Sequence, residues 1–307
     1  MSSVGLISAL TVLAVTQQVY TASAEAIIAE TESEIIGLEA ERYQRMTVPV
    51  TVKGQGPFEF IIDTGAQVSV ISRELADELA LHNREPATLV AFNCSREVEI
   101  TDIPDVSLGS REFDLYGAPL IDRINIGGAD GMLGLDSLRD QSVVIDFENG
   151  HIAVGPGREL AGTRDFDIVV RARDRQGQLI ITDAEIDGVR VTVMIDTGAQ
   201  GSTGNLVLQG RLRRASTRYE ATMTDINGVS STSNVLIART LTLDRATLSN
   251  IAITFFDSPT FEALGLDTRP AMILGMSELR LFDRVAVDFE KRRLLFDMPD
   301  RRGRNRN

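Results

Sequence analysis

The chain repeats itself, and no other feature restricts its fold so tightly. Residues 59–67 read EFIIDTGAQ and residues 192–200 read TVMIDTGAQ, which sets Asp63 and Asp196 133 residues apart. MLGLDSL at 132–138 is answered by ILGMSEL at 273–279, with Gly134 and Gly275 offset by 141. VVIDFENG at 143–150 is answered by VAVDFEKR at 285–292, with Asp146 and Asp288 offset by 142. Three matched segments in one order describe a single lobe built twice. The drift in offset places about nine extra residues in the second copy, mostly between the first two segments, as a loop insertion would.

The local signals are those of strands. Met46–Val52 and Phe58–Ile62 are β-branched and aromatic runs joined by Gly54-Gln55-Gly56-Pro57, which reads as a hairpin. The second copy has its turn at Asp187-Gly188. Ser72–Leu81 sets Leu75, Leu79 and its alanines on one helical face behind a Ser72 cap, predicting one short helix in the first lobe. The counterpart region, Gly201–Gly204, is rich in Gly, Ser and Thr, predicting that the second lobe shortens or loses that helix. Gly155-Pro156-Gly157 opens a polar stretch to Asp165, where the lobe boundary is placed: residues 25–157 form the first lobe and 158–298 the second. The expected class is all-β with few short helices.

Composition narrows the function. A chain of 307 residues with 43% apolar side chains can bury two ordinary cores. Its net charge of −13 opposes a nucleic-acid partner, since a phosphate backbone is repelled by the average surface field. Cys94 is the single cysteine, so no intramolecular disulfide forms, and at the tip of a predicted hairpin it reads as a free, non-catalytic thiol. His82 and His151, the two histidines, stand far apart and outside any ligand cluster, so neither a metal nor another cofactor is expected. Residues 1–24 carry no charged side chain, include the apolar run Val4–Val15 and end in Thr21-Ala22-Ser23-Ala24, which reads as an export signal cleaved before Glu25. The expectation is a periplasmic or secreted protein with no stable membrane span after cleavage, or a membrane-anchored one if the signal stays. The arginine-rich tail, 299–307, is expected to be disordered.

Each D-T-G follows a run of strand-forming apolar residues, which carries its aspartate from a buried strand into a tight turn. Glycine suits that turn because it accepts close approaches that a Cβ blocks, and Ala66 and Ala199 keep it compact. If the lobes pack about a pseudo-twofold axis, the two turns meet there and their carboxylates share one proton. One aspartate then serves as base and the other as acid.

On these residues the sequence resembles the retropepsin-like aspartic peptidases, especially exported bacterial members with D-T-G-A, over most of the chain from Met46 to Phe296. The resemblance implies two acid-protease lobes related by pseudo-twofold symmetry, with catalytic carboxylates at Asp63 and Asp196. Thr64 and Thr197 match the threonines that interlock beneath the dyad, and Gly65 and Gly198 the turn glycines. Leu133-Gly134 and Leu274-Gly275 match the hydrophobic-Gly element packed against the active-site loop. It implies hydrolysis of a polypeptide substrate by an activated water, with no covalent intermediate, in a cleft covered by a flap. The candidate flap is the second copy's hairpin with Asn227-Gly228 at its tip, a strong short turn signal. The first copy, Leu89–Ile103, has Asn93-Cys94-Ser95-Arg96 there and no glycine. Asp146 and Asp288 read as the ends of lobe-terminal strands, with their carboxylates at the surface. A monomeric pseudo-dimer is expected ahead of a homodimer that pairs like copies. The remaining rivals are a non-catalytic peptide-binding protein on the same fold and, last, a glycosidase, whose two carboxylates need no D-T-G turn.

Overall fold

The computed structural model describes residues 6–8, 47–156, 166–175, 177–212 and 216–299. Most of the expected export signal, its cleavage site before Glu25, the connection 157–165 and the arginine tail lie outside the described residues. From the signal region only the strand Leu6–Ser8 is described, parallel to Arg84–Val90.

The two copies form like barrels because their strand runs and turns recur in the same order. In the first, Thr47–Val52 pairs antiparallel with Gln55–Ile62, and the sheet continues through Gly131–Leu133, Val70–Ser72 and Arg111–Ile121. Ser95–Leu108 closes it by pairing with both Arg111–Ile121 and Thr47–Val52. In the second, Gln178–Ile186 pairs with Val189–Ile195, followed by Ala271–Leu274, Ser202–Gly204, Ala246–Phe255 and Ser230–Leu243, which returns to Gln178–Ile186. The expected turn is present: Asp187 and Gly188 both have positive φ, 46° and 82°, the mirror-image turn whose twist matches a two-stranded hairpin. A seventh strand projects from each barrel as a hairpin arm, Arg84–Val90 in the first copy and Ser216–Thr224 in the second.

A third sheet joins the lobes. Ser142–Asp146 lies antiparallel to Arg284–Asp288, with Val144 opposite Ala286, so the repeated V-x-I/V-D-F segments pair with each other. His151–Gly155 and Arg293–Asp297 flank them, and Ile168–Arg171 completes the edge. Val143, Ile145, Val285, Val287, Leu294 and Phe296 are buried there and run into one apolar core with both barrels. Burial of that continuous area holds the lobes in register.

Two expectations are corrected. The second copy keeps its helix: Leu206–Arg211 has 6 residues, as does Arg73–Glu78. The Gly- and Ser/Thr-rich residues form the strand Ser202–Gly204, and the helix starts just after it. Asn205 caps it, with Oδ1 accepting from Leu208 N at 2.8 Å, as Ser72 Oγ accepts from Leu75 N at 3.1 Å. Asp288, expected at the surface, is fully buried. Arg293 Nη2 donates to it at 2.6 Å and Lys291 N at 2.9 Å, so its charge is paired inside the central sheet, while Asp146 stays partly exposed.

Candidate active site

Strand Gln55–Ile62 delivers Asp63 and strand Val189–Ile195 delivers Asp196. Each is locked by the parallel strand beside it: Asp63 N donates to Leu133 O at 2.9 Å, and Asp196 N to Leu274 O at 3.1 Å. The next residue in each neighbouring strand is glycine for a steric reason. A Cβ on Gly134 would stand 2.7 Å from Val68 O, and one on Gly275 would stand 2.5 Å from Gly201 O. With no Cβ there, Leu135 N reaches Ala66 O at 2.9 Å and Met276 N reaches Ala199 O at 2.8 Å, so each element grips its own D-T-G-A turn. Ser69 and Ser202 add a further brace. Ser69 Oγ accepts from Gly134 N at 3.0 Å and donates to Asp136 at 2.6 Å; Ser202 Oγ accepts from Gly275 N at 3.1 Å and donates to Glu278.

The two turns face each other. A Cβ on Gly65 would lie 2.5 Å from Asp196 Oδ2, and one on Gly198 would strike the Asp63 carboxylate, so each carboxylate rests over the other copy's glycine. Beneath them the threonines interlock. Thr197 Oγ1 accepts from Thr64 N at 3.0 Å and donates to Ile62 O at 2.7 Å. Thr64 Oγ1 accepts from Thr197 N at 3.2 Å and donates to Ile195 O at 3.1 Å. Four buried backbone groups from two lobes are thus satisfied by two hydroxyls.

The carboxylates are fully buried. Oδ1 of Asp63 accepts from Gly65 N at 2.8 Å and Ala66 N at 2.9 Å; Oδ1 of Asp196 accepts from Gly198 N at 2.8 Å and Ala199 N at 3.0 Å. Neither Oδ2 has a hydrogen-bond donor among the described residues. Burial holds the Asp63 carboxyl well above the usual range, and the neighbouring Asp196 charge raises it further against the pull of Gly65 and Ala66. Burial also pushes Asp196 up to about 6, although Ala199 N–H, the Asp63 carboxyl and Gly198 N–H donate to it. The side-chain hydrogen bond between the two carboxyls raises Asp63 and lowers Asp196, so they titrate as one pair.

Two family models match the sequence, one on each copy. The model described as "gag-polyprotein putative aspartyl protease" covers residues 48–140, and one described as "Aspartyl protease" covers residues 182–277. The chain belongs to the retropepsin-like aspartic peptidases. Similar solved structures include a retropepsin-like aspartic protease from Rickettsia conorii, 20% identical, with 42% of this chain and 88% of that chain covered at a TM-score of 0.30. Conglutin gamma from lupine seeds is 11% identical, with 82% and 94% covered at 0.40. Basic 7S globulin from soybean is 9% identical, with 79% and 89% covered at 0.40. No curated protein matches the chain.

Within this retropepsin-like frame the hairpin tips cross between lobes. Asn227 and Gly228 lie at the tip of the second hairpin, as expected, but the first hairpin is equally developed, and its tip at 91–94 needs no glycine because it leans on the other tip. Asn93 N donates to Asp225 Oδ2 at 2.9 Å, Asn93 Nδ2 to Val229 O at 2.6 Å, Arg96 Nη1 to Asn227 O at 3.1 Å and Asn227 Nδ2 to Cys94 O at 3.2 Å. The apolar anchors are exchanged. Phe92 of the first copy packs edge-on against Phe256 and Phe261 of the second, with ring centroids 5.7 and 6.4 Å away. Ile226 of the second copy is buried with Ile61, Ile126 and Met132 of the first.

All the predicted dyad, threonine, turn and hydrophobic-Gly residues therefore converge on one centre, and the tips form a clasp between the lobes. Four contributors escape the sequence reading. Ser69 and Ser202 were detectable, because D-T-G-A-Q-x-S repeats in full. Phe92 and Ile226 carry no such signal, since each finds its partners in the opposite copy.

Proposed function

We propose that this chain is an aspartic endopeptidase that hydrolyses peptide bonds through a single mixed dyad, Asp63 with Asp196. The observation that carries the reading is the mutual seating of each carboxylate over the other turn's glycine, with neither Oδ2 meeting a donor among the described residues. A water bound at the pair gives a proton to the ionised Asp196 as its oxygen adds to the scissile carbonyl carbon, while Asp63 protonates the carbonyl oxygen. The resulting diol collapses when the leaving nitrogen takes the proton from Asp196 and the C–N bond breaks, and the proton on the diol oxygen returns to Asp63. Every proton is accounted for, and neither carboxylate forms a bond to carbon. The substrate is a polypeptide segment drawn out as a strand beneath the hairpin tips, which part to admit it. The bonding of Thr64 to Thr197 within one chain supports a mixed dyad over a dimer that pairs like copies.

The test is digestion of a reduced, denatured protein, followed by mass spectrometry, with wild type, Asp63→Asn and Asp196→Asn. Each substitution is expected to abolish cleavage while leaving the far-UV spectrum and cooperative unfolding intact. Turnover by either variant within tenfold of wild type contradicts the shared-proton dyad. A wild type that binds extended peptides without cutting them points to a non-catalytic peptide-binding protein.

A further inference from the structure

Gln178 begins a strand of the second copy, yet its side chain serves the first copy's active turn. Its Nε2 donates to Gly65 O at 2.5 Å. A carbonyl only accepts, so this bond fixes the amide's orientation and leaves Oε1 as an acceptor. The residue is fully buried, and Oε1 meets no donor among the described residues. Buried acceptors without a donor are uncommon, and each calls for a functional or structural reason. The place supplies one: Gly65 is the residue on which the Asp196 carboxylate rests, and its N–H holds Asp63. The unpaired oxygen belongs to the amide bonded to that same turn residue.

We infer that Gln178 is a substrate-binding residue whose Oε1 accepts one main-chain N–H of the polypeptide beside the scissile bond, an inference that rests on the endopeptidase reading above. An extended peptide whose carbonyl lies at the dyad carries N–H donors on either side, and such a strand binds where acceptors are waiting. The carbonyl of Gly65, an acceptor in the same turn, is already occupied by Gln178 Nε2. Gln178 takes up that carbonyl and offers its own oxygen in its place. A brace for the turn would need only the Nε2 donor and would leave Oε1 without a purpose.

The experiment measures binding rather than turnover. The probe is a hexapeptide with phenylalanine on both sides of a hydroxyethylene isostere that replaces the scissile bond, together with a set N-methylated at one amide at a time. Titration calorimetry is run on wild type, Gln178→Leu and the closely isosteric Gln178→Met, which covers the case in which leucine does not fold. In wild type, methylation at one amide flanking the isostere should weaken binding about five- to tenfold, the worth of one neutral hydrogen bond. In the Gln178 variants the parent peptide should be weakened by a similar factor, and that methyl group should have no further effect. An equal methylation penalty in wild type and variants, or no penalty at any amide of the wild type, overturns the inference while leaving the dyad intact. Failure of the parent peptide to bind wild type, or binding of it unchanged by Asp63→Asn, overturns the endopeptidase reading and this inference with it.

Discussion

Replacing Thr197 with valine tests the joint between the lobes at its narrowest point. The side chain keeps its shape, so packing is preserved, but Oγ1 disappears. Two buried groups of the other copy lose their partner: the Ile62 carbonyl, bonded at 2.7 Å, and the Thr64 N–H, bonded at 3.0 Å. A buried polar group left unsatisfied costs about 1–3 kcal/mol, so the pair should cost about 2–6 kcal/mol. That is a large part of the ~5–15 kcal/mol by which folded proteins are stable. Thr64→Val removes the longer bonds, at 3.1 and 3.2 Å, and should fall in the lower half of the same range. The double variant should cost less than the sum of the two, because once the lobes relax at this joint the second pair is already loosened. Urea unfolding followed by far-UV dichroism measures all three, with the slope compared alongside the midpoint so that lost cooperativity is not mistaken for lost stability. Cleavage should fall with the first substitution by more than the unfolded fraction accounts for, since the dyad sits on this joint. A Thr197→Val protein within about 0.5 kcal/mol of wild type would refute the reasoning, because surface substitutions do no more than that.

Three further outcomes are expected. Burial raises both carboxyls, so the stability that the pair's bound protons confer is fully present below the unfolded value of 3.8 and is lost as pH rises through the folded values, about 6 for Asp196; Asp196→Asn should therefore gain on wild type as pH rises from 4 to 7 in thermal scans, and a gap that does not widen over that range contradicts this. The raised carboxyls place the monoprotonated pair at mildly acidic to near-neutral pH, and Ala66→Ser with Ala199→Ser, which adds a hydroxyl donor favouring each charged form, should move the kcat/KM profile toward acid; an unchanged or alkaline-shifted profile contradicts this. Phe92→Ala should unlatch the clasp locally, read as at least tenfold faster amide hydrogen exchange at 91–95 and 225–229 with the barrel strands unaffected; exchange that stays at the wild-type rate would show that the ring does not hold the tips.

The two facing D-T-G-A turns were legible because duplication printed them twice, and because each residue type there answers a local demand: glycine where the opposite carboxylate rests, threonine where a hydroxyl must serve two backbone groups. Strand runs and turns gave the barrels for the same reason, since their causes lie within a few residues of each other. The misread features have causes that are distant or displaced. The helix Leu206–Arg211 was hidden because its cap, Asn205, comes after the glycines that suggested a loop. Asp288 looked like a surface residue because its partner Arg293 lies across a hairpin in the central sheet. The first hairpin seemed the weaker arm for want of a glycine, yet its tip is held by bonds to residues more than 130 positions away.

A doubled fold poses a chemical problem that its symmetry cannot solve, because hydrolysis needs one acid and one base from two identical motifs. Burial raises both carboxyls, and each Oδ1 takes the same two backbone donors from its own turn, so neither factor distinguishes Asp63 from Asp196. What remains is the bond between them. Two like charges this close cannot both persist without solvent, so one proton stays, and whichever carboxyl holds it becomes the donor that the other's Oδ2 otherwise lacks. Asymmetry thus arises from proton count rather than from sequence, and it can reverse within a catalytic cycle because the two seats are nearly alike. The near-equivalence that makes the repeat visible is also what lets either aspartate return to its starting role after the bond is cut.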